Sequence, residues 1–250
     1  MGPTGSANPN TLGNLRLKLI HHISRYLNEF DVYRLARVNR YVYGYLEGEW
    51  FYDHVGPNAA SPALLAAAEH GHLATVKRAL EGGADINYQD SLTGETALVA
   101  ACDDGNEAVV QYLLQQSGIE VNASEGHGWT GLHLAALLGF ESIVSQLLTM
   151  PNLEVNLTDV WKATPLALAA HKGHLTVVTL LLDFAADVDV PCDNQGDDRS
   201  SAELSGHPAL FWATISGHVE TVSLLQTHGA ALSARSSNIL QREMDVRRLE

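Results

Sequence analysis

Cysteine is nearly absent from this chain: only Cys102 and Cys192 occur in 250 residues. Cys102 falls at a small, core-facing position of a helical pattern and Cys192 in a polar connection, which argues against a disulfide and for a reducing, intracellular setting, cytoplasmic or nuclear. Long apolar runs are missing as well. Nothing approaches the ~18 consecutive apolar residues that span a bilayer, so no membrane partner is expected. Met1 to Asn10 has neither a basic start nor an apolar core, which rules out a signal peptide and leaves residues 1–11 as an expected disordered leader. Positive charge is short: 15 Lys and Arg face 29 Asp and Glu, for a net charge of −14. Six basic and five acidic residues precede position 56, so nine and 24 follow it and the later part carries −15. Such a surface repels phosphate backbones and excludes nucleic acid as the expected partner. Motifs of the common chemistries are lacking too. There is no Gly-Xaa-Ser-Xaa-Gly elbow, phosphate-binding glycine loop or dinucleotide fingerprint, and no two of the 12 histidines share one helix at i, i+4 with a carboxylate, as zinc would require. No metal and no cofactor are expected.

What the chain does contain is repetition. From Gly128 to Asn156 it reads as two short helices: Thr130 as N-cap, an apolar run Leu132, Leu134, Ala135, Ala136, a stop at Gly139, then a second helix from about Glu141 carrying Ile143, Val144, Leu147 and Leu148. The leucine of that unit recurs as Leu64, Leu98, Leu132, Leu166 and Leu210, and its stop glycine as Gly71, Gly105, Gly139, Gly173 and Gly217. Both series step by 34, 34, 34 and 44. A small pair keeps the same register, from Ala67 and Ala68 to Ala213 and Thr214. Two antiparallel helices of this length cannot bury their apolar faces alone, so each copy needs its neighbours.

A period near 33 with a Thr-Pro-Leu-His-like opening, seen in Thr164-Pro165-Leu166 and in Thr130, Leu132 and His133, resembles the ankyrin repeat. The closings Gly83-Ala84-Asp85-Ile86-Asn87 and Ala185-Ala186-Asp187-Val188-Asp189 fit as well. The resemblance implies an all-α ankyrin-repeat solenoid, about five helix-turn-helix repeats with short hairpin fingers over residues 60–234. The copies are placed at 60–90, 91–122, 123–156, 157–189 and 206–234, with Pro62 at the first N-cap and a polar insertion at 194–205 expected to project as a loop. Residues 235–250 are expected to form a capping helix, or the start of further sequence.

Residues 12–53 follow another pattern. Leu12, Leu15, Leu19, Ile20, Ile23 and Leu27 stand at helical spacing, Asp31 can cap a second helix with Leu35, and Tyr41 to Leu46 supply a third. This string is similar to an F-box, the segment that docks on the adaptor of SCF-type ubiquitin ligases, although the family's Leu-Pro opening is Leu12-Gly13 here. The resemblance implies adaptor binding through Leu12, Leu15, Leu19, Ile20, Leu27 and Leu35. The alternative is that these helices only cap the first repeat.

In the ankyrin framework, recognition is expected on the fingers and on the inner-helix residues before each stop glycine. The fingers offer Tyr88, Leu92, His127, Trp129, Trp161 and Lys162. The helix positions offer Asp103 and Asp104, then Leu137 and Leu138, then His171 and Lys172, a strip running from acidic through apolar to weakly basic. Tryptophans on hairpin tips are either interface anchors or stacked on adjacent fingers. Lys162 replaces the glycine of Gly94 and Gly128, so that finger is expected to bend differently. Histidines after the stop glycine (His72, His174, His218) and His133 are read as structural. The expected function is non-catalytic protein recognition, as the substrate receptor of a ubiquitin ligase with a protein target on the ankyrin face. A plain scaffold is the alternative, and an enzyme using Asp103, Asp104, His70 and His171 on a small molecule is the remoter one.

Overall fold

A computed structural model describes residues 60–190, 207–232, 236–238 and 241. The expected leader at 1–11, the unit at 12–53 with its six adaptor residues, the insertion at 194–205 and most of the tail at 235–250 lie outside the described residues.

Among the described residues five helix pairs follow one another: α1 (Ala60–Glu69) with α2 (Leu73–Glu81), α3 (Ala97–Asp103) with α4 (Glu107–Leu114), α5 (Gly131–Leu138) with α6 (Glu141–Leu148), α7 (Pro165–Lys172) with α8 (Leu175–Asp183), and α9 (Ala209–Ser216) with α10 (Val219–Thr227), and residues 236–238 and 241 are helical as well. Among the described residues there is no strand, only an isolated antiparallel bridge between Ser124 and Thr130. The odd-numbered helices pack in one row and the even-numbered ones in a second row behind it.

Three of the inner helices, α3, α5 and α7, start where the sequence supplies a hydroxyl, whereas α9 follows Pro208 without a side-chain cap. Thr96, Thr130 and Thr164 sit in extended conformation and accept from the backbone N–H of Val99, His133 and Ala167, which satisfies donors that a first turn leaves orphaned. The first pair departs from expectation. Helix α1 already begins at Ala60, so Pro62 lies inside its first turn, where a missing N–H costs no intrahelical bond.

The core is a lateral stack of one small apolar layer per repeat. Leu64, Leu98, Leu132, Leu166 and Leu210 are all buried, as are Ala67, Ala101, Ala135, Ala169 and Ala213 beneath them. Cys102 belongs to this layer. Its sulfur leaves no room for a side chain at Gly131 of the next repeat, where an added Cβ would come within 2.9 Å of Sγ, and burial raises its thiol far above the usual range.

The outer helices have no side-chain caps of their own. Their cap residues reach across to the preceding repeat instead. Asn106 Nδ2 donates to the carbonyls of Ala68 and Glu69 at 2.8 and 2.9 Å. The ring Nε2–H of His174 donates to Leu137 O at 3.1 Å, and that of His218 to His171 O, also at 3.1 Å. These carbonyls end the inner helices and have no acceptor role within them. The glycine beneath each reaching ring is required twice over: Gly139 and Gly173 have φ of +77° and +75°, and a Cβ there would meet the next histidine at 2.6 and 2.5 Å. The third repeat puts Phe140 at this position, and its ring packs on Gly105 without a polar bond.

Because Leu132 is buried against neighbours on both sides, Leu132→Ala is expected to cost ~2 to 5 kcal/mol. Hydrogen exchange should then show lost protection in α3 and α7 as well as in α5 and α6; loss confined to residues 128–156 would contradict the lateral core.

Candidate functional site

Three fingers close on an acidic residue five or six positions before the N-cap threonine. Asp90 N–H donates to Glu95 O, Glu125 N–H to Trp129 O and Asp159 N–H to Ala163 O, at 2.9, 3.0 and 3.0 Å. The acid side chains then hold the tips. Glu125 Oε1 accepts from the N–H of His127 at 2.9 Å and of Trp129 at 3.2 Å, while Oε2 pairs with His127 Nδ1 at 3.0 Å. Asp159 is buried and does more: Oδ1 accepts from the N–H of Trp161 and Ala163 at 2.9 and 2.8 Å, and Oδ2 accepts from Trp129 Nε1 at 2.7 Å. A charged acceptor holding several N–H donors fixes a loop that would otherwise be mobile. Neighbouring fingers are also joined through their backbones, Gly126 N–H to Thr93 O at 2.8 Å and Val160 N–H to His127 O at 3.0 Å.

The expected change of bend at Lys162 does not occur. Lys162 takes φ +64°, the same left-handed turn as Gly94 and Gly128. What differs is the demand on space: a Cβ at Gly94 or Gly128 would stand 3.2 Å from the backbone of the next finger, whereas the Lys162 side chain is exposed.

The two tryptophans are neighbours. Trp161 lies 6.0 Å from Trp129, tilted by 59°, and stacks on His127 at 5.6 Å and 11°. Stacking between adjacent fingers is therefore real, yet it covers the rings unequally: Trp129 is half-buried and Trp161 remains 46% exposed. Leu92 on the preceding finger is 76% exposed.

Four expected site residues, Leu92, Asp103, His127 and Trp129, line one groove of about 510 Å³, together with Thr93, Glu95, Glu125, Gly126 and Leu134. Burial lifts the Asp103 carboxyl above its usual range, and the charge of Glu125 adds to this. Asp104 beside it is raised first by burial and then by Asp103, with His70 opposing. Tyr88, at the base of the first finger, is raised by burial and by Asp90. Tyr88, Asp104, Leu137, Leu138, Trp161, Lys162, His171 and Lys172 do not line the groove. Leu138 stands exposed at the end of α5 and Lys172 at the end of α7, while Leu137 is half-buried. His171 is half-buried at the far end of the strip, where its Nδ1 meets Ser216 Oγ at 2.9 Å and its ring lies edge-on to Trp212 at 5.1 Å. Burial lowers its pKa, and the nearby Lys172 and His218 lower it further.

Reading the sequence by residue type overlooked the three finger acids, because an acid in a polar hairpin reads as solvated charge. The signal that could have found them is position: Glu125 and Asp159 both stand five residues before a capping threonine, and Asp90 stands six before. Among the described residues no group of three His, Cys, Asp or Glu is placed to hold a metal ion, and no helix is long and apolar enough to cross a membrane.

A family model described as ankyrin repeats in three copies matches residues 64–159 and again 146–236. The chain belongs to the ankyrin-repeat family. A search of curated proteins finds no match. Ankyrin arrays are in general non-catalytic interaction modules, and the two matches leave residues 12–53 outside them. The ankyrin framework also explains His133. It completes a capping box, accepting from Thr130 N–H through Nδ1 at 3.2 Å, while Nε2 donates to Ala163 O of the next finger at 3.3 Å. The first of these bonds needs the neutral ring, because a protonated Nδ1 cannot accept, whereas the second is made by either form.

Burial holds the His133 pKa below the ordinary value of 6.5, against the opposing charge of Asp159. A lowered histidine pKa means that the unfolded chain takes up the proton first as pH falls. The stability held by the neutral ring is then complete above about pH 6.5 and drains away below it. Denaturation midpoints should accordingly fall between about pH 7.5 and 5.5, and His133→Asn should be less stable at the upper pH but show a shallower fall. A fall of the same slope in that variant would contradict the assignment.

Proposed function

We propose that this array is a protein-recognition module whose target meets the fingers and the exposed ends of the inner helices. The observation that carries this reading is the exposure of large apolar side chains on tips that are rigidly held. Leu92 stands out from the first finger and Val160 and Trp161 from the third, and Leu138 at the end of α5 is 42% exposed. Apolar groups fixed in place lose little entropy on docking, which is what an interface anchor requires. Asp103 and Asp104 add steering charge beside them, and the excess of acidic over basic residues in the array favours a partner that is basic where it approaches.

The finer reading is a substrate receptor of an SCF-type ubiquitin ligase, with the array on the target and residues 12–53 on the adaptor. Its support is the helical leucine pattern and the F-box similarity of that segment. The coarser alternative is a scaffold with the same array and no ligase link.

Target binding and adaptor binding separate these readings. With a target captured by the full chain, Leu92→Ala combined with Trp161→Ala should raise the dissociation rate by about ten-fold or more, with little change in salt dependence. Asp103→Asn combined with Asp104→Asn should mainly slow association and flatten its dependence on ionic strength. If both pairs bind normally while changes within residues 194–205 abolish binding, the insertion is the recognition element. For the ligase reading, the purified chain should bind the adaptor subunit, and Leu12→Asp or Leu15→Asp should remove that binding while leaving target binding and helical content unchanged. Failure of the unmutated chain to bind adaptor at tens of micromolar sinks the ligase reading and leaves the scaffold.

A further inference from the structure

The groove between the first two fingers has a wall chemistry that selects among partner side chains. Its floor and rim are apolar, from Leu134, the Trp129 indole and the exposed Leu92, while Glu95, Asp103 and Glu125 supply carboxyl groups and no lysine or arginine lines it. We propose that this groove takes an arginine side chain from an extended segment of a partner protein, with the guanidinium against the Trp129 ring and facing the carboxylates of Asp103 and Glu125. The proposal rests on the protein-recognition reading above and names the chemistry of its partner.

Three observations favour a cation, and arginine among cations. The Asp103 side chain makes no hydrogen bond or ion pair among the described residues, and burial together with the charge of Glu125 disfavours its anion, which a cation would relieve. Glu125 is not free to turn away, because both of its oxygens hold the finger backbone and His127. The indole of Trp129 is likewise pinned through its Nε1 to Asp159. The groove therefore offers a flat ring and one fixed carboxylate, that of Glu125, before a ligand binds. A planar guanidinium can stack on such a ring and reach carboxylates with its edge, whereas an ammonium is a point charge that does only one of these well. A volume near 510 Å³ is of the size that side chains and small ligands fill. Leu92 beside the mouth suits an apolar residue next to the arginine.

The test uses the immobilised full chain and pools of short capped peptides with random flanks and one fixed central residue: arginine, lysine, leucine or glutamate. The arginine pool should be retained about ten-fold more than the leucine or glutamate pools and more than the lysine pool. That excess should vanish in Asp103→Asn with Leu92→Ala, two exposed positions whose change leaves the fold intact by circular dichroism. An arginine preference that survives in this variant overturns the groove as its source. Lysine held as well as arginine overturns the guanidinium assignment. Retention led by leucine or glutamate overturns the choice of a cation while leaving protein recognition standing, and retention of no pool counts against both.

Discussion

The side chain that follows each turn glycine ties one helix pair to the one before it, and the array depends on that lateral tie. No pair has enough apolar surface to fold alone; each buries its leucine and alanine layer only between neighbours. The ends of the inner helices are where this arrangement is most exposed to failure, since their last carbonyls find no partner within the helix. Asn106, His174 and His218 solve this from the next repeat. The turn glycine makes the solution possible, because any side chain there would occupy the volume of the reaching ring. One choice of residue thus closes a helix, orders a turn and couples two repeats.

The same logic of borrowing from the neighbour shapes the fingers. Asp159 holds its own tip through two backbone N–H groups and the preceding finger through the Trp129 indole. His133 joins α5 to the following finger at Ala163. Hairpins of this length are not stable by themselves. Here they are rigid because each is held by a charged acceptor inside it and by a backbone bond to the next. Rigidity in turn lets apolar side chains stand in solvent in fixed positions, the property from which a recognition surface is built. The third repeat breaks the pattern with Phe140, so its tie to the second repeat is apolar where the others are polar. That junction is also where the groove lies, between the fingers of these two repeats.

Much of this was legible in the sequence, and the reason is local. Helix starts at Thr130 and Thr164, stops at Gly139 and Gly173, and the buried leucine series follow from capping chemistry, left-handed glycine and helical periodicity, each set by residues a few positions apart. A repeat then converts local certainty into global architecture, because one unit recognised five times implies a stack. The acidic and apolar character of the helix strip was likewise readable from register alone. Residue type also suggested that the histidines after the glycines were structural, although not what they bonded.

What only the tertiary structure decided is what happens between repeats. Residues some 30 to 38 positions apart meet there, such as Trp129 with Asp159 and Asn106 with Ala68, and no short-range pattern encodes such a meeting. Burial of Asp159 converts an apparent surface charge into the finger's anchor. Sequence treated Trp129 and Trp161 as equivalent, yet one is pinned and half-covered while the other stands out. Leu92, Asp103, His127 and Trp129 come from two fingers and one helix end, and it is the stacking of two repeats that turns them into the walls of one groove. Helices and turns are set by the chain's nearest neighbours in sequence; the site is set by its neighbours in space.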